Sequence, residues 1–349
     1  DRPIWVDHYI LGVEVEVDVI CDGQEVLIPG IMEHIERAGV HSGDSMAVCP
    51  PQSLSPEVIA QVVDHATRLA LRLNVRGLMN IQYVVQGDEV FVLEANPRAS
   101  RTAPYLSKVT GIPMVRLATM ISIGRTLREL GYEGGLAPAP SCPAVKAPVF
   151  SFGKLTKVDV QLGPEMKSTG EVMGIDTTYA GALYKAMVAS GIDVPDRVAV
   201  VVTLADRDKA EALTVVRELA SNGFQIYATA GTANFLARNG TTAQPLFKIH
   251  QGSPNTLDLI REGRIDLVIN TLSPNNQAEL EARQMRRAAV ENGIPCLTSL
   301  DTARALLYAL ARRRDPNRIN VRALDEYLNM EKISAEDEMQ MDDGGPSRA

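Results

Sequence analysis

The chain has no close pair of cysteines, no long apolar run and no excess of positive charge. Its four cysteines, Cys21, Cys49, Cys142 and Cys296, lie far apart, which argues against a zinc site or a disulfide framework. The most apolar stretch, residues 198–204, is far shorter than the roughly 18 residues that a membrane helix needs. No signal segment opens the chain. We therefore expect a cytoplasmic protein with no membrane segment.

Length and charge narrow the class further. A chain of 349 residues with 45% hydrophobic and 22% charged residues is typical of a globular protein with two domains. Its formal net charge of -8 at pH 7 disfavours a broad basic surface for nucleic-acid phosphates. We expect no nucleic-acid partner, although a local pocket for an anion is compatible with this charge.

The first part of the chain alternates apolar and acidic residues. Residues 13–28 predict a β-hairpin that turns at Asp22-Gly23 and carries carboxylates on one face. Such a face is usually exposed to solvent, so Glu14 needs neighbouring groups before it becomes a candidate ligand contact. The polar stretch His41–Ser45 predicts an ordinary turn or a binding loop. Ser55 and Pro56 then predict the start of a helix.

Residues 77–97 predict a second hairpin, whose register decides its chemistry. A two-residue loop, Gly87-Asp88, would place Glu94 on the apolar face. A three-residue loop, residues 87–89, places Gln82 opposite Glu94 and separates the two faces, so burial favours it. The apolar face would then comprise Met79, Ile81, Tyr83, Val85, Phe91, Leu93 and Ala95. The polar face would comprise Asn80, Gln82, Glu94 and Asn96.

That polar face has the ligand types of a hard-cation site. Mg²⁺ binds carboxylate and amide oxygens and is often completed by substrate phosphate, and Arg98 and Arg101 follow closely, as bidentate phosphate ligands would. A solvated hairpin face with an arginine-rich turn explains the same pattern equally well. Pattern alone does not separate the two interpretations.

The second part of the chain changes character. Four prolines between residues 133 and 148 indicate a boundary, and strand-like runs from residue 198 onward alternate with helical ones, as in a parallel sheet covered on both faces. Ligands of such sheets gather at the carboxyl ends of the strands, which here end at residues 203–206, 229–232 and 270–271. Thr229-x-Gly231-Thr232 could hold phosphate at a helix start or be an ordinary turn. His250 is more typical of a structural histidine.

Four ordered segments, taken together, closely resemble the large subunit of carbamoyl-phosphate synthase. They are residues 14–18 (EVEVD), 39–45 (GVHSGDS), 76–82 (RGLMNIQ) and 94–101 (EANPRASR). The resemblance continues through residues 162–174 (LGPEMKSTGEVMG) and covers nearly the whole chain except its tail. It implies an α+β ATP-grasp half-domain (1–132), a linker and connecting helical region (133–190), an α/β doubly wound, methylglyoxal-synthase-like domain (191–334) and a disordered acidic tail (335–349).

The resemblance implies roles for residues of the first part. Glu14 would hold the ATP ribose, and Gly39, Val40, His41 and Ser42 would form the nucleotide loop. Gln82, Glu94 and Asn96 would bind Mg²⁺ or Mn²⁺ between the ATP phosphates, and Arg98 and Arg101 would lie near the transferred phosphoryl group. The implied reaction is the ATP-dependent phosphorylation of carbamate in a glutamine-hydrolysing synthase that serves pyrimidine and arginine biosynthesis. Such chemistry needs positioning and charge neutralisation rather than a protein nucleophile.

The resemblance also implies partners. The second domain would bind a nucleotide effector of the UMP or IMP type, through Lys209, Thr229, Thr232, Lys248, Asn270 and Thr271. Leu272 replaces a threonine of some relatives, so the sequence leaves the identity of the effector open. A glutaminase small subunit would supply ammonia, and the amino-terminal part of the large subunit would supply the remaining half of the ATP site.

Two departures from the family pattern matter. The family's ATP-grasp unit begins upstream of Asp1, so we expect this chain alone to turn over little or no carbamate. Ala147 replaces an acidic residue that contacts ornithine in regulated relatives, whereas Glu36 and Asp44 match the other acidic contacts, which makes activation by ornithine doubtful. The alternatives are another ATP-grasp carboxylate-amine ligase and a non-catalytic, nucleotide-sensing fragment.

Overall fold

The computed structural model describes residues 4, 6, 8–155, 158–193, 198–273, 275–310 and 321–330. The chain divides into two compact units. The first unit comprises the described residues up to 147, residues 173–185 and those from 321 onward, and the second comprises the described residues of 148–172 and 186–318. The predicted tail, 335–349, lies outside the described residues.

The first unit is built on a nine-stranded sheet whose pairs are mostly antiparallel. Its main order is β6-β5-β1-β3-β4-β8-β9, with β2 beside β1 and β7 beside β2. The strands are β1 (Val13–Cys21), β2 (Val26–Ile28), β3 (Ile31–His34), β4 (Ala47–Cys49), β5 (Gly77–Gln86), β6 (Glu89–Asn96), β7 (Gly135–Leu136), β8 (Ala144–Val149) and β9 (Gly170–Ile175). The central pair, β1 and β5, carries the polar residues considered below.

Four helices follow or interrupt these strands: α1 (Pro56–Arg72), α2 (Thr102–Thr110), α3 (Met114–Ser122) and α4 (Tyr179–Ala189). α1 begins where the sequence predicts, because the Ser55 hydroxyl accepts a hydrogen bond from the Val58 N–H at 3.2 Å. Its buried side chains recur every four residues from Val58 to Ala70, so they form one face. That face packs on the apolar side of the sheet, while α2 and α3 cover part of the opposite side.

The hairpin of β5 and β6 corrects the predicted register. The loop is the two residues Gly87-Asp88, since Gln86 pairs with Glu89 and Tyr83 with Val92. Gly87 has a φ of 60°, which glycine tolerates as the first central residue of a hairpin turn. A β-bulge then shifts the register, so that Gln82 pairs with Glu94 after all.

The bulge also corrects the predicted apolar face. Leu93 is the unpaired residue, and its side chain is 50% exposed rather than buried. Phe91 pairs with Val84 and so lies on the polar face, whereas Val90, which pairs with Val85, packs against the core. An extra residue inserted into one strand reverses the facing of the residues beyond it, which reconciles the short loop with the opposition of Gln82 and Glu94.

The predicted domain boundaries at 132/133 and 190/191 differ from the observed division. The proline-rich stretch between residues 133 and 148 contributes strands to the first sheet: β7 pairs with β2, and β8 lies between β4 and β9. The expected linker region therefore contributes strands β7, β8 and β9 and helix α4.

The second unit contains a five-stranded sheet in the order β12-β11-β10-β13-β14, and all of its strand pairs are parallel. The predicted α/β alternation is present. The strands are β10 (Ala199–Thr203), β11 (Gln225–Thr229), β12 (Gln244–Leu246), β13 (Leu267–Asn270) and β14 (Cys296–Leu297). The helices are α5 (Lys209–Ser221), α6 (Ala230–Arg238), α7 (Thr256–Arg261), α8 (Asn276–Glu291) and α9 (Leu300–Leu310), and a final helix, α10 (Leu324–Leu328), belongs to the first unit.

None of the helices in the described ranges is both long enough and apolar enough to cross a membrane.

The observed register predicts that two truncations in this hairpin lower the free energy of unfolding by unequal amounts. Ile81→Ala removes a fully buried side chain and should lower the free energy of unfolding by about 2–5 kcal/mol. Leu93→Ala removes the half-exposed bulge residue and should cost less than about 0.5–1 kcal/mol. Urea unfolding followed by circular dichroism measures both, and equal costs would contradict the register.

Candidate nucleotide and effector sites

Polar side chains form two rows across strands β1, β5 and β6. Glu16 pairs with Gln82, which pairs with Glu94. One step along, Asp18 pairs with Asn80, which pairs with Asn96. Directly opposed residues of adjacent strands point to the same face of a sheet. The structure therefore brings Gln82, Glu94 and Asn96 to one face, together with carboxylates of β1.

The carboxylates of β1 are buried, which corrects the expectation of a solvent-exposed face. Glu14 and Glu16 are 3% exposed and Asp18 is 1% exposed. Two basic side chains, His34 and Lys146, are also buried close to them. Buried carboxylates require charge partners or hydrogen-bond donors, and the neighbouring strands and α2 supply both.

Glu16 is the best satisfied of these carboxylates. Its Oε2 lies 3.2 Å from His34 Nε2, and its Oε1 accepts hydrogen bonds from Asn80 Nδ2 at 2.7 Å and the Thr102 hydroxyl at 3.2 Å. Burial alone would raise the pKa of Glu16, but the His34 hydrogen bond and the nearby Lys146 charge outweigh it and hold the pKa below its usual range. Glu16 is therefore ionised.

Asp18 experiences the opposite balance. It accepts hydrogen bonds from the hydroxyls of Ser100, at 2.8 Å, and Thr102. Burial, followed by the negative charge of Glu16, nevertheless raises the pKa of Asp18. Both acids thus bind the start of α2 to the sheet. Their pKa values are shifted in opposite directions, down for Glu16 and up for Asp18.

Glu14 has unused hydrogen-bonding capacity. Its nearest basic atom is His34 Nδ1, at 3.7 Å, and no described residue donates a hydrogen bond to its carboxylate. Burial, only partly opposed by His34, raises the pKa of Glu14. A carboxylate so enclosed is stabilised by donors such as the hydroxyls of a bound sugar.

The predicted nucleotide loop is joined to the polar rows. Gln82 Nε2 donates a hydrogen bond to the Ser42 hydroxyl at 3.0 Å, and Lys146 Nζ donates to the Ser42 carbonyl at 2.9 Å. The loop forms a 3₁₀ turn at Ser42–Asp44 in which His41 Nδ1 accepts the Gly43 N–H. Gly39 has a φ of 110°, a conformation that favours glycine. The turn and the binding-loop interpretations are thus compatible.

The two predicted arginines follow directly after β6. Arg98 is exposed, and its Nη1 donates to the Ala99 carbonyl at 3.0 Å. Arg101 is the N-cap residue of α2 and lies between Ser100 and Thr102, whose hydroxyls bond to Asp18. The backbone of Arg101 is thus anchored on both sides to the buried carboxylates, close to the row that contains Asn96.

The donor set of the polar rows fits a hard divalent cation. Glu94 is exposed, and its Oε1 accepts a hydrogen bond from Asn96 Nδ2 at 2.9 Å, so a carboxylate and two amide carbonyls share one region of the face. The described residues contain no cluster of three or more His, Cys, Asp or Glu side chains suited to a metal. A site with one carboxylate and two amides requires further oxygens from a ligand, as magnesium–phosphate sites do.

In the second unit, all six residues predicted to hold an effector line one cavity of about 440 Å³. They are Lys209, Thr229, Thr232, Lys248, Asn270 and Thr271. The cavity lies at the carboxyl ends of β10, β11 and β13, where parallel sheets bind ligands. Its size is in the range of small-molecule sites.

Two of the six residues support the cavity from within. Asn270 Nδ2 donates to the Thr203 hydroxyl at 2.8 Å, and the Thr271 hydroxyl accepts the Ala205 N–H at 2.8 Å. Both contacts join the ends of β10 and β13. Asn270 and Thr271 are also buried, so they shape the cavity wall as much as they offer groups to a ligand.

A fully buried arginine, absent from the sequence-based prediction, fixes Asn270. Arg286 Nη1 donates to Asn270 Oδ1 at 2.7 Å, and its Nε and Nη2 bind both oxygens of Asp159 at 2.8 and 2.6 Å. Glu279 Oε1 accepts a further bond at 2.5 Å. Burial by itself would raise the pKa of Asp159, but the hydrogen bond and charge of Arg286 lower it.

His250 has an acidic partner in the same cavity. Its Nδ1 contacts Glu281 Oε1 on α8. Burial would raise the pKa of Glu281, but the His250 hydrogen bond lowers it. This contact adds the Glu281 carboxylate to the cavity wall.

Two families match separate parts of the chain. The family described as the carbamoyl-phosphate synthase L chain, ATP binding domain, matches residues 1–130, and the MGS-like domain matches residues 211–298. The two matches are those of the carboxyl-terminal portion of a carbamoyl-phosphate synthase. The first unit is accordingly an ATP-grasp-type half-domain, and the MGS-like domain contains the parallel sheet. The kind of activity that these matches support is that of an ATP-dependent ligase.

Solved structures show a looser likeness. The biotin carboxylase domain of a single-chain bacterial carboxylase is 21% identical, with a TM-score of 0.40, 51% of this chain covered and 46% of that one. A single-chain, multi-domain long-chain acyl-CoA carboxylase is 22% identical (TM-score 0.37; 42% and 16% covered). The urea amidolyase of K. lactis is 17% identical (TM-score 0.33; 40% and 8% covered). The chain thus spans less than half the length of each, and these likenesses bear on neither substrate nor mechanism.

The residues that would bind ornithine in regulated relatives are placed as follows. Glu36 is buried, and its Oε2 accepts the Met46 N–H at 2.7 Å. Asp44 and Ala147 are also buried. Ala147 offers no side-chain oxygen, and Oε2 of Glu36 is already bonded to the backbone.

The buried network of Arg286 yields a pH-dependent prediction. Asp159→Asn should lower the free energy of unfolding by about 3 kcal/mol at pH 7, because one charge of a buried pair is lost. The pKa of Asp159 is depressed in the folded state, so its contribution is present above its unfolded pKa, near 3.9, and is lost as the pH falls below that value. Urea unfolding at pH 7 and pH 3.5 should show a smaller difference between wild type and variant in acid.

The matched control is Glu262→Gln. Glu262 pairs with Arg264 at the surface, where both side chains are about half exposed, so its loss should cost less than about 1 kcal/mol. A difference for Asp159→Asn that is equally large at both pH values would contradict the assignment.

Proposed function

We propose that the chain is part of a glutamine-hydrolysing carbamoyl-phosphate synthase, in which its first unit binds ATP with Mg²⁺ or Mn²⁺ and phosphorylates carbamate. The observation that carries the proposal is the row Glu16–Gln82–Glu94 on one face of the sheet. It places a hard-cation donor set beside the loop that contains Ser42. The enzyme would serve pyrimidine and arginine biosynthesis.

Different residues would bind different parts of the ATP molecule. Glu14, a buried carboxylate without a hydrogen-bond donor among the described residues, is suited to accept the ribose hydroxyls. The loop of Gly39, Val40, His41 and Ser42 would border the nucleotide. Gln82, Glu94 and Asn96 would hold the metal ion, which supplies charge neutralisation between the phosphates.

The reaction would transfer the γ-phosphoryl group of ATP to a carbamate oxygen, with ADP as the leaving group, and would require no protein nucleophile. Arg98 and Arg101, on the anchored turn before α2, would bind the transferring group and neutralise its charge. The buried carboxylates of β1 act indirectly, because Asp18 and Glu16 bond to the residues that flank and follow Arg101. The buried Lys146 charge offsets part of their negative charge, and His34 hydrogen-bonds to Glu16.

The second unit would bind a nucleotide effector of the UMP or IMP type. What supports this is the cavity lined by Lys209, Lys248, Thr229 and Thr232 at the start of α6. Two lysines and the positive end of a helix favour a phosphate group. The glutaminase subunit and the amino-terminal part of the large subunit remain the proposed partners.

Titration calorimetry with MgADP tests the proposed metal–nucleotide site. Glu94→Gln should weaken binding by at least about 10-fold, since a hydrogen-bonded or coordinating charge is worth more than about 1.4 kcal/mol. Glu89→Gln, a change of the same kind at the exposed turn end of β6, should change affinity by less than 2-fold, roughly the noise of exposed charges.

The same titration separates the alternatives. Equal weakening by both variants would contradict the role of Glu94. Binding of UMP without any binding of MgADP would favour the nucleotide-sensing alternative. Biotin-dependent carboxylation would favour another ATP-grasp ligase.

A further inference from the structure

Lys209 is already paired with an anion of its own chain. Its Nζ lies 2.6 Å from Asp206 Oδ1. The Lys209 side chain is only 15% exposed, whereas that of Asp206 is 95% exposed. An ammonium group so enclosed is stabilised by a nearby anion, and Asp206 provides one at the mouth of the effector cavity.

The same ammonium group lies at the start of α6. Lys209 Nζ is 3.4 Å from the Gly231 carbonyl and 3.7 Å from the position that a Cβ on Gly231 would occupy. Thr229 is the N-cap residue of α6, yet its hydroxyl caps none of the described N–H groups of that helix. The Lys209 ammonium group and the N-terminal end of α6 would thus both attract a phosphate bound at this point.

A phosphate bound there meets the carboxylate of Asp206. Two anions would then share one ammonium group within a few ångströms, and their repulsion opposes binding. Asp206 lies in the 3₁₀ turn Asp206–Asp208, on the solvent side of the cavity, so its side chain can rotate into water when a stronger anion arrives. The hydrogen bond from Lys209, together with its charge, lowers the pKa of Asp206, which is therefore ionised at neutral pH.

We propose that Asp206 is an internal competitor of the effector's phosphate for Lys209 and so sets the affinity of the cavity for phosphate monoesters. This inference rests on the proposed effector site and adds a residue to it. Asp206 acts by withholding the cation rather than by contacting the ligand. Its removal should therefore strengthen binding, the opposite of what removing a ligand contact does.

The chain offers a closely matched control. Asp208 lies in the same turn and carries the same charge, but its Oδ1 is 3.5 Å from Arg207 Nε, and Asp208 forms no ion pair with Lys209 in the described structure. Asp206→Asn and Asp208→Asn thus change the net charge equally. Only the first variant frees Lys209.

Titration calorimetry of the full chain with UMP provides the test. Asp206→Asn should bind UMP about 3- to 10-fold more tightly than wild type, and Asp208→Asn should stay within about 2-fold. Added salt should reduce the gain, because screening weakens the repulsion between Asp206 and the phosphate. Thermal unfolding without ligand checks that both variants are folded as wild type is.

The outcomes separate this inference from the proposed function. Unchanged or weaker binding by Asp206→Asn would overturn the competitor role, as would an equal gain in both variants. Lys209→Gln tests the effector site itself. If it binds UMP as wild type does, or if no variant binds UMP, the proposed effector function fails together with the inference.

Discussion

Glu94 faces Gln82 because β6 accommodates one extra residue, Leu93, between Val92 and Glu94. Without this bulge, the two-residue turn would rotate Glu94 to the side of the sheet that packs on α1. The chemistry of the first unit therefore depends on a backbone register rather than on any single strong contact. The tight turn and the bulge compensate for each other, and they place an apolar face and a polar face on the same pair of strands.

The buried carboxylates of β1 make the polar face a fixed structure. Glu16 is held by His34, Asn80 and Thr102, and Asp18 by Ser100 and Thr102. Three acids in successive inward positions would repel one another in an apolar interior. The hydroxyls of Ser100 and Thr102, the amide of Asn80 and the buried side chains of His34 and Lys146 offset that repulsion. These contacts connect β1 to its neighbouring strands and to the start of α2.

Much of this organisation can be predicted from the sequence. Alternation predicts β1 and the second hairpin, and the Ser55-Pro56 pair predicts the start of α1. The strand ends of the parallel sheet predict Thr229, Thr232, Asn270 and Thr271 at the effector cavity, whereas Lys209 and Lys248 follow only from the family resemblance. Local patterns succeed here because each depends on residues a few positions apart. The opposition of Gln82 and Glu94 was also predicted, although through a three-residue loop that the structure replaces with a bulge.

Other features depend on contacts between distant residues, which periodicity does not reveal. Asp159 and Arg286 are 127 residues apart, and Lys146 reaches Ser42 across 104 residues. The carboxylates of β1 looked solvent-exposed because alternation reports that a face is polar but not whether another layer covers it. Which elements cover a face is decided by the tertiary fold, so the burial of Glu16 and the pairing of Arg286 follow only from the structure.

The anchoring of Arg101 has a consequence for how an exposed cation can be accurate. Ser100 and Thr102, the residues on either side of it, donate hydrogen bonds to Asp18 inside the sheet. The backbone from which this surface guanidinium extends is therefore positioned by a carboxylate buried in the core.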